Sequence, residues 1–185
     1  MSVMSSIEIS NVRKKYRSVT LTFPDVTFTN STIILGPNGS GKSTLLKAIM
    51  GLIEYDGTIA YQGRLQYLPE HPTFPKDISM RTFLHAFVTE LPIDLLQRFA
   101  LIAKLDEPLN TLSKGMLGKL NLITCLMEDA AWYLLDEPVN GLDHAAMEEL
   151  FEWLQTTNKR WIVTTHLPYV KERLQKDVIH LDPHS

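Results

Sequence analysis

The sequence predicts an α/β fold with a mostly parallel sheet, an antiparallel β subdomain at the N-terminus and a short inserted helical subdomain. Three observations predict it. A short apolar, β-branched run, Ser31 to Leu35, enters a glycine-rich turn, Gly36 to Thr44, that opens into a segment of helical spacing. Beyond that turn, apolar strand-like runs alternate with helical ones, the pattern of a parallel sheet covered by helices. Ahead of it, Ile7, Ile9 and Val12 alternate with polar residues, and Val19 to Thr29 alternates again around a break at Pro24-Asp25, giving two half-exposed antiparallel strands.

The remaining elements follow in order. Glu54 to Pro72 carries turn signals at Asp56-Gly57 and Gln62-Gly63, then a short strand, Leu65 to Leu68, ended by Pro69. It reads as a hairpin returning to the sheet. Ser79 to Met127 is helical in pattern with breaks at Pro92 and Glu107-Pro108, so about three helices form an insert over roughly residues 73–128. Ala131 to Pro138 is a buried strand ended by carboxylates. Ala145 to Gln155 reads as an amphipathic helix, Arg160 to His166 as another buried strand, and Leu167 to Lys176 as a short helix leading to Val178 to Asp182.

Composition bounds the function. With 185 residues, 44% hydrophobic and 21% charged, the chain matches an ordinary globular domain, read as one domain over residues 1–185, and it can bury a core without disulfides. Its single cysteine, Cys125, sits in an apolar run and reads as a small buried hydrophobe in a reduced compartment. A net charge of -3 argues against nucleic acid as the main partner. No apolar run approaches the roughly 20 residues that cross a bilayer, and Met1 to Ser10 has neither the charged region nor the apolar core of a signal peptide. The expected location is cytoplasmic, with any membrane role exerted through a partner.

Gly36 to Thr44 reads GPNGSGKST, which fits the pattern GxxxxGK[ST] at a strand-to-helix turn. In that setting successive backbone N–H groups curl around an anion and the helix N-terminus adds partial positive charge. Gly36, Gly39 and Gly41 permit positive φ and close backbone approach, Lys42 reaches the outer phosphates of a nucleoside triphosphate, and the Ser43 hydroxyl can ligate Mg²⁺. Four apolar residues, Trp132 to Leu135, then run into Asp136 and Glu137. Beyond the carboxyl end of a parallel strand, these acids fall beside the phosphate turn: Asp136 to hold Mg²⁺, Glu137 to orient and polarise an attacking water.

Other residues carry two readings. Tyr16, flanked by Arg13, Lys14, Lys15 and Arg17, either stacks on a nucleobase or ends a strand on a solvated basic face. Ser113 reads as the N-cap of a helix whose first turn could also bind an anion. Asp143 reads as a helix cap, and His166 as a strand-end histidine.

Over nearly its whole length the chain resembles the nucleotide-binding subunits of ATP-binding cassette (ABC) transporters, a P-loop NTPase fold. GPNGSGKST is similar to their Walker A and Trp132 to Pro138 to their Walker B, with Glu137 at the catalytic position. Leu112 to Met116, LSKGM, resembles the family signature, Val139 to Asp143 the D-loop, and His166 the switch histidine. The resemblance implies an ATPase in which Pro37, Asn38, Ser40 and Thr44 join the other Walker A residues around ATP and Tyr16 stacks on adenine. It also implies a dimer, homo- or heteromeric, sandwiching two ATP molecules, with Ser113 and Gly115 acting in trans, Asp143 linking the two sites and His166 touching the γ-phosphate. A transmembrane permease would be the second partner.

Three positions depart from that family's usual pattern. Glu70 stands where the Q-loop glutamine belongs and could still meet Mg²⁺ or water, Lys114 replaces a glycine of the signature, and Met116 a glutamine. Together they resemble the branch of bacterial ABC-2 type exporters. The helical insert is short, and the chain stops soon after His166, so no regulatory C-terminal domain is expected. Thr73 to Phe87, with Phe74, Phe83 and Phe87, is a candidate dock for a membrane subunit; the same aromatics could equally fill the insert's own core. Two other readings are a soluble nucleotide kinase, which would usually start at the phosphate loop, and a non-transport P-loop ATPase.

Overall fold

A computed structural model describes residues 6–182. Met1 to Ser5, half of the stretch read as lacking a signal peptide, lie outside the described residues.

The N-terminal strand β1 (Ile7–Lys15) is the centre of an antiparallel sheet, pairing with β2 (Thr20–Thr22), β3 (Val26–Phe28) and β5 (Asp56–Tyr61). Its inward residues are Ile7, Ile9 and Val12, a spacing of two and then three. The extra residue is a bulge: the register against β5 shifts between Ser10 and Arg13, and Asn11 takes φ 53 while its N–H donates to Asp25 Oδ1 at 2.6 Å. Asparagine tolerates that left-handed conformation.

The hairpin expected over Glu54 to Pro72 does not form. Its two strands belong to different sheets: β5 pairs with β1, while β6 (Leu65–Leu68) pairs in parallel with β7. Asp56-Gly57 is the start of β5 rather than a turn. Gly57, at φ 103, lies against the Asn11 carbonyl at the bulge, where a Cβ would collide, so the glycine serves a close approach between strands. Gln62-Gly63 does turn the chain, from one sheet to the other.

The parallel sheet has the order β6-β7-β8-β4-β9, from β4 (Thr32–Leu35), β7 (Trp132–Asp136), β8 (Arg160–Thr165) and β9 (Asp177–His180). Its central strands are apolar on both faces, and the period of two splits them cleanly. Ile33, Tyr133, Leu135, Trp161 and Val163 join the larger core with the helices α2 to α6. Ile34, Trp132, Leu134 and Ile162 join a second core with the antiparallel sheet and α1 (Lys42–Ile49). Asp136 and Thr164 continue this second series, each two residues beyond a member of it. Their side chains therefore face α1.

Between β6 and β7 come α2 (Met80–His85), α3 (Ile93–Arg98) and α4 (Lys114–Leu126), with 3-10 turns at Ile102–Lys104 and Leu109–Thr111. α5 (His144–Thr156) and α6 (Pro168–Leu174) flank β8 in sequence. Cys125 is buried and its thiol pushed well up by burial, as the apolar run around it predicts. Among the described residues, no helix is long and apolar enough to cross a membrane.

Candidate active site

β4 delivers the chain into the phosphate turn at the carboxyl edge of the parallel sheet. The Gly36 N–H donates to the Thr165 carbonyl at 3.1 Å, fixing the turn to β8. Gly39 and Gly41 take φ 83 and 92, and Gly41 is the N-cap of α1. Those left-handed residues wrap the turn so that the first N–H groups of α1 open on the cleft. Gly36 serves space rather than positive φ, since the Leu181 carbonyl lies against it. The Lys42 ammonium is 5% exposed, donates to the carbonyls of Gly36 at 2.8 Å and Pro37 at 3.0 Å, and so lies along the turn that carries it.

A cleft of about 370 Å³ opens here, lined by Asn38, Gly39 and Gly41 to Thr44 on one side and by Glu70, His71 and Glu137 on the other. Tyr16 reaches its rim: the phenol oxygen is 3.3 Å from Thr44 Oγ1, and 43% of the residue stays exposed. The structure thus ties the aromatic in the basic segment to the phosphate turn.

Two carboxylates close the opposite side. Asp136, 1% exposed, accepts hydrogen bonds at Oδ1 from Ser43 Oγ (2.9 Å) and Thr164 Oγ1 (2.7 Å), and at Oδ2 from the Tyr67 hydroxyl (3.3 Å). Burial, and then the charge and hydrogen bond of Asp136, raise the Tyr67 phenol well above its usual range, so it remains a donor. Glu137 is 5% exposed and held at φ 47, a strained conformation for a glutamate. Its Oε1 sits 3.3 Å from Lys42 Nζ and 3.0 Å from His166 Nδ1. Its Oε2 has no hydrogen-bond partner among the described residues. A buried carboxylate oxygen at a cleft is costly without a donor, and a water can donate to it at little cost.

No cluster of three or more His, Cys, Asp or Glu able to hold a metal occurs among the described residues. Ser43 and Asp136 alone make a site of a different kind. One hydroxyl and one carboxylate suit a Mg²⁺ that takes most of its oxygens from substrate phosphates and water. Glu70 lines the same cleft, and Asn140 Nδ2 donates to its Oε1 at 3.2 Å.

Ser113, Gly115 and Asp143 do not line this cleft. They form a second group. Ser113 Oγ caps α4 by accepting from the Met116 N–H at 3.2 Å, and Asp143 Oδ1 caps α5 by accepting from the Ala146 N–H at 2.9 Å. Lys119 Nζ pairs with Asp143 Oδ2 at 2.6 Å, and Gly115 packs near the Gly141 carbonyl, so the two segments lie side by side. The Lys119 hydrogen bond, followed by the Ala146 N–H, holds the Asp143 carboxyl below the usual range.

Sequence reasoning missed Tyr67, Thr164 and Asn140. The first two depend on strand register: Tyr67 pairs with Leu134 and Thr164 with Asp136, which puts all three polar groups on one face. Asn140 lies within the Val139 to Asp143 motif, but nothing in the sequence ties it to Glu70.

Residues 24–140 match the family model described as ABC transporter. The chain is 31% identical to an uncharacterized ABC transporter ATP-binding protein of Bacillus subtilis, YthP, covering 92% of this chain and 78% of that one. It is 32% identical to a Nod factor export ATP-binding protein I of Sinorhizobium fredii (91% and 58%) and 30% identical to a zinc import ATP-binding protein, ZnuC, of Rickettsia bellii (87% and 74%). Among solved structures, an ATP-binding subunit of an ABC transporter superposes with a TM-score of 0.82 at 26% identity, over 95% of this chain and 85% of that one. Domains of this family are ATPases, generally use ATP with Mg²⁺, and work with a transmembrane partner. With its parallel sheet, antiparallel subdomain and phosphate turn in place, this chain belongs to the ABC transporter ATP-binding domains.

Proposed function

We propose that the cleft between the phosphate turn and the two acids binds and hydrolyses MgATP, and that this cycle drives export by a membrane permease. One observation carries the reading: three separate segments meet here, with Ser43 2.9 Å from Asp136 and, at the adjoining positions, Lys42 3.3 Å and His166 3.0 Å from Glu137.

In this reading the amides of Gly36 to Thr44 cradle the β- and γ-phosphates, and Tyr16 stacks on the adenine. Lys42 turns from the Gly36 and Pro37 carbonyls to the γ-phosphate. Ser43 and Asp136 hold Mg²⁺, which when bound neutralises charge on the phosphate oxygens, with Glu70 acting at the edge of that shell. Glu137, released from Lys42, accepts a hydrogen bond from the attacking water and aligns it in line with the leaving group. His166 donates to the γ-phosphate while contact with Glu137 fixes its ring. Catalysis is then positioning and electrostatics in a water-poor cleft.

Ser113 and Gly115 act on the nucleotide of a second cassette, identical or not. Their absence from the cleft's lining in one chain and their capped, exposed helix start support this head-to-tail dimer, with Asp143 between the sites. The whole chain is one cassette, residues 1–185, with a helical subdomain at about 73–128, lying on the cytoplasmic face of the membrane. Glu70, Lys114 and Met116 favour export over import; curated relatives carry names of both kinds.

Thr73 to Phe87 is the proposed dock for the permease. Phe74 and Phe83 are partly buried against the larger core, with Phe83 edge-on to Phe74 at 5.4 Å, whereas Phe87 is 51% exposed. The two sequence readings of these aromatics therefore divide between residues. The test is co-purification with a transmembrane permease and phosphate release by the complex in Mg²⁺ and in EDTA. The reading predicts release only with Mg²⁺; equal release in EDTA, or none at all from a complex that binds ATP, contradicts it.

A further inference from the structure

Asp136 is held by three side chains, and one of its holders comes from β6, a strand remote in sequence from both the phosphate turn and β8. Ser43 Oγ and Thr164 Oγ1 both donate to Oδ1. Oδ2 has a single protein donor among the described residues, the Tyr67 hydroxyl at 3.3 Å. A carboxylate bonded at one oxygen can still rotate about its last torsion, which is broad in aspartate. A donor on the other oxygen fixes its plane.

Tyr67 is well placed for this. Strand β6 pairs with β7 in parallel, Tyr67 opposite Leu134, so its side chain shares the face of Asp136. The ring packs against the core that contains Leu134 and Ile162, which anchors the phenol, and Tyr67 lies three residues before Glu70, the cleft residue bonded to Asn140. β6 carries the group that orients the carboxylate, and the chain just beyond its end carries the residue at the cleft's edge.

We propose that Tyr67 is a positioning residue for the divalent cation: its hydroxyl orients Asp136 so that the carboxylate, with Ser43, meets Mg²⁺ correctly. This rests on the MgATP reading above. Groups that orient metal ligands from behind change metal affinity by about 10- to 100-fold when removed. Because Thr164 also restrains Asp136, the lower end applies.

The test is Tyr67→Phe, which deletes only the hydroxyl and leaves the ring packed. The probe is Mn²⁺, titrated into protein in excess over a non-hydrolysable ATP analogue, with free Mn²⁺ read by electron paramagnetic resonance. The variant should bind Mn²⁺ about 10-fold more weakly, while its affinity for the analogue in EDTA stays at the wild-type value. Its melting temperature without ligand should fall by about 2–4 °C, because Asp136 Oδ2 loses its donor. Phosphate release should recover towards the wild-type maximum as Mg²⁺ is raised. Unchanged Mn²⁺ affinity would overturn the role of Tyr67 while leaving the nucleotide site intact. An equal loss of analogue binding in EDTA would overturn it too, by making the hydroxyl merely structural. Failure of the wild-type protein to bind the analogue at all would instead refute the MgATP reading.

Discussion

Replacing Glu137 with glutamine tests both what the residue does in hydrolysis and what it does before ATP arrives. The change keeps the shape and removes one negative charge from a residue that is 5% exposed. In the structure that charge faces the Lys42 ammonium at 3.3 Å. At an effective dielectric of about 20 the bare attraction is about 5 kcal/mol, and desolvation offsets most of it. A net contact of about 1–2 kcal/mol, between a neutral hydrogen bond and one to a charged group, is the remainder. Lys42 is not orphaned by the change, because the Gly36 and Pro37 carbonyls still accept from it at 2.8 and 3.0 Å. The fold should therefore survive, and ATP no longer competes with Glu137 for the ammonium. ATP affinity should rise about 5- to 30-fold. Hydrolysis should fall by about 10²- to 10⁴-fold, the usual contribution of a general base, equivalent to about 3–5 kcal/mol of barrier. Calorimetry in Mg²⁺ gives the affinity, phosphate release gives the rate, and light scattering should show an ATP-bound dimer accumulating. Hydrolysis within about threefold of wild type would assign the water to another group, since loss of a base costs far more. Weaker ATP binding would show that the Lys42–Glu137 pair does not compete with phosphate.

The remaining predictions concern groups around this pair. Lys42→Ala should weaken ATP binding by about 10- to 100-fold, the loss of one charge-assisted contact, and undiminished binding by calorimetry would contradict the phosphate role. Tyr16→Ala should reduce ATP affinity by about 1–3 kcal/mol without changing inorganic triphosphate binding; equal loss for both ligands would rule out base stacking. Asp143→Asn keeps a good N-cap but loses the Lys119 pair. Since the folded carboxyl is held below its usual value, the stabilisation it provides is present above about pH 4, the unfolded carboxylate range, and disappears as pH falls through the lower folded value. With Asp143 mostly exposed, the urea-unfolding difference from wild type should be below about 1 kcal/mol at pH 7 and vanish in acid; a difference that grows in acid would have the wrong sign.

Much of this architecture was legible because the strands obey simple periodicities. The run Trp132 to Leu135 is apolar at every position, which marks a strand buried on both faces, and the acids that follow fall at the ligand-binding edge of a parallel sheet. The antiparallel strands were legible through alternation, and the bulge at Asn11 explains why Val12 follows Ile9 by three. The error at Glu54 to Pro72 has a definite cause. Two short strands joined at Gln62-Gly63 look the same whether they pair with each other or part to two sheets, and only the long-range partners β1 and β7 decide. At the site, Ser43 contacts Asp136, and Lys42 and His166 contact Glu137. Tyr67 and Thr164 escaped notice because their part depends on strand register. The strain at Glu137 was likewise beyond local pattern, since a glutamate at φ 47 is set by the hydrogen bonds of its N–H to Thr164, not by its own preference.

The central claim is that one cleft holds the triphosphate between the phosphate turn and the two acids. A crystal structure of the Glu137→Gln protein with ATP and Mg²⁺ tests it most directly. The account predicts the γ-phosphate within hydrogen-bonding distance of Lys42 and His166, the cation between Ser43 and Asp136, and the adenine against Tyr16. A nucleotide seated elsewhere, with Lys42 still bonded to the Gly36 and Pro37 carbonyls and the cation away from Asp136, would contradict it.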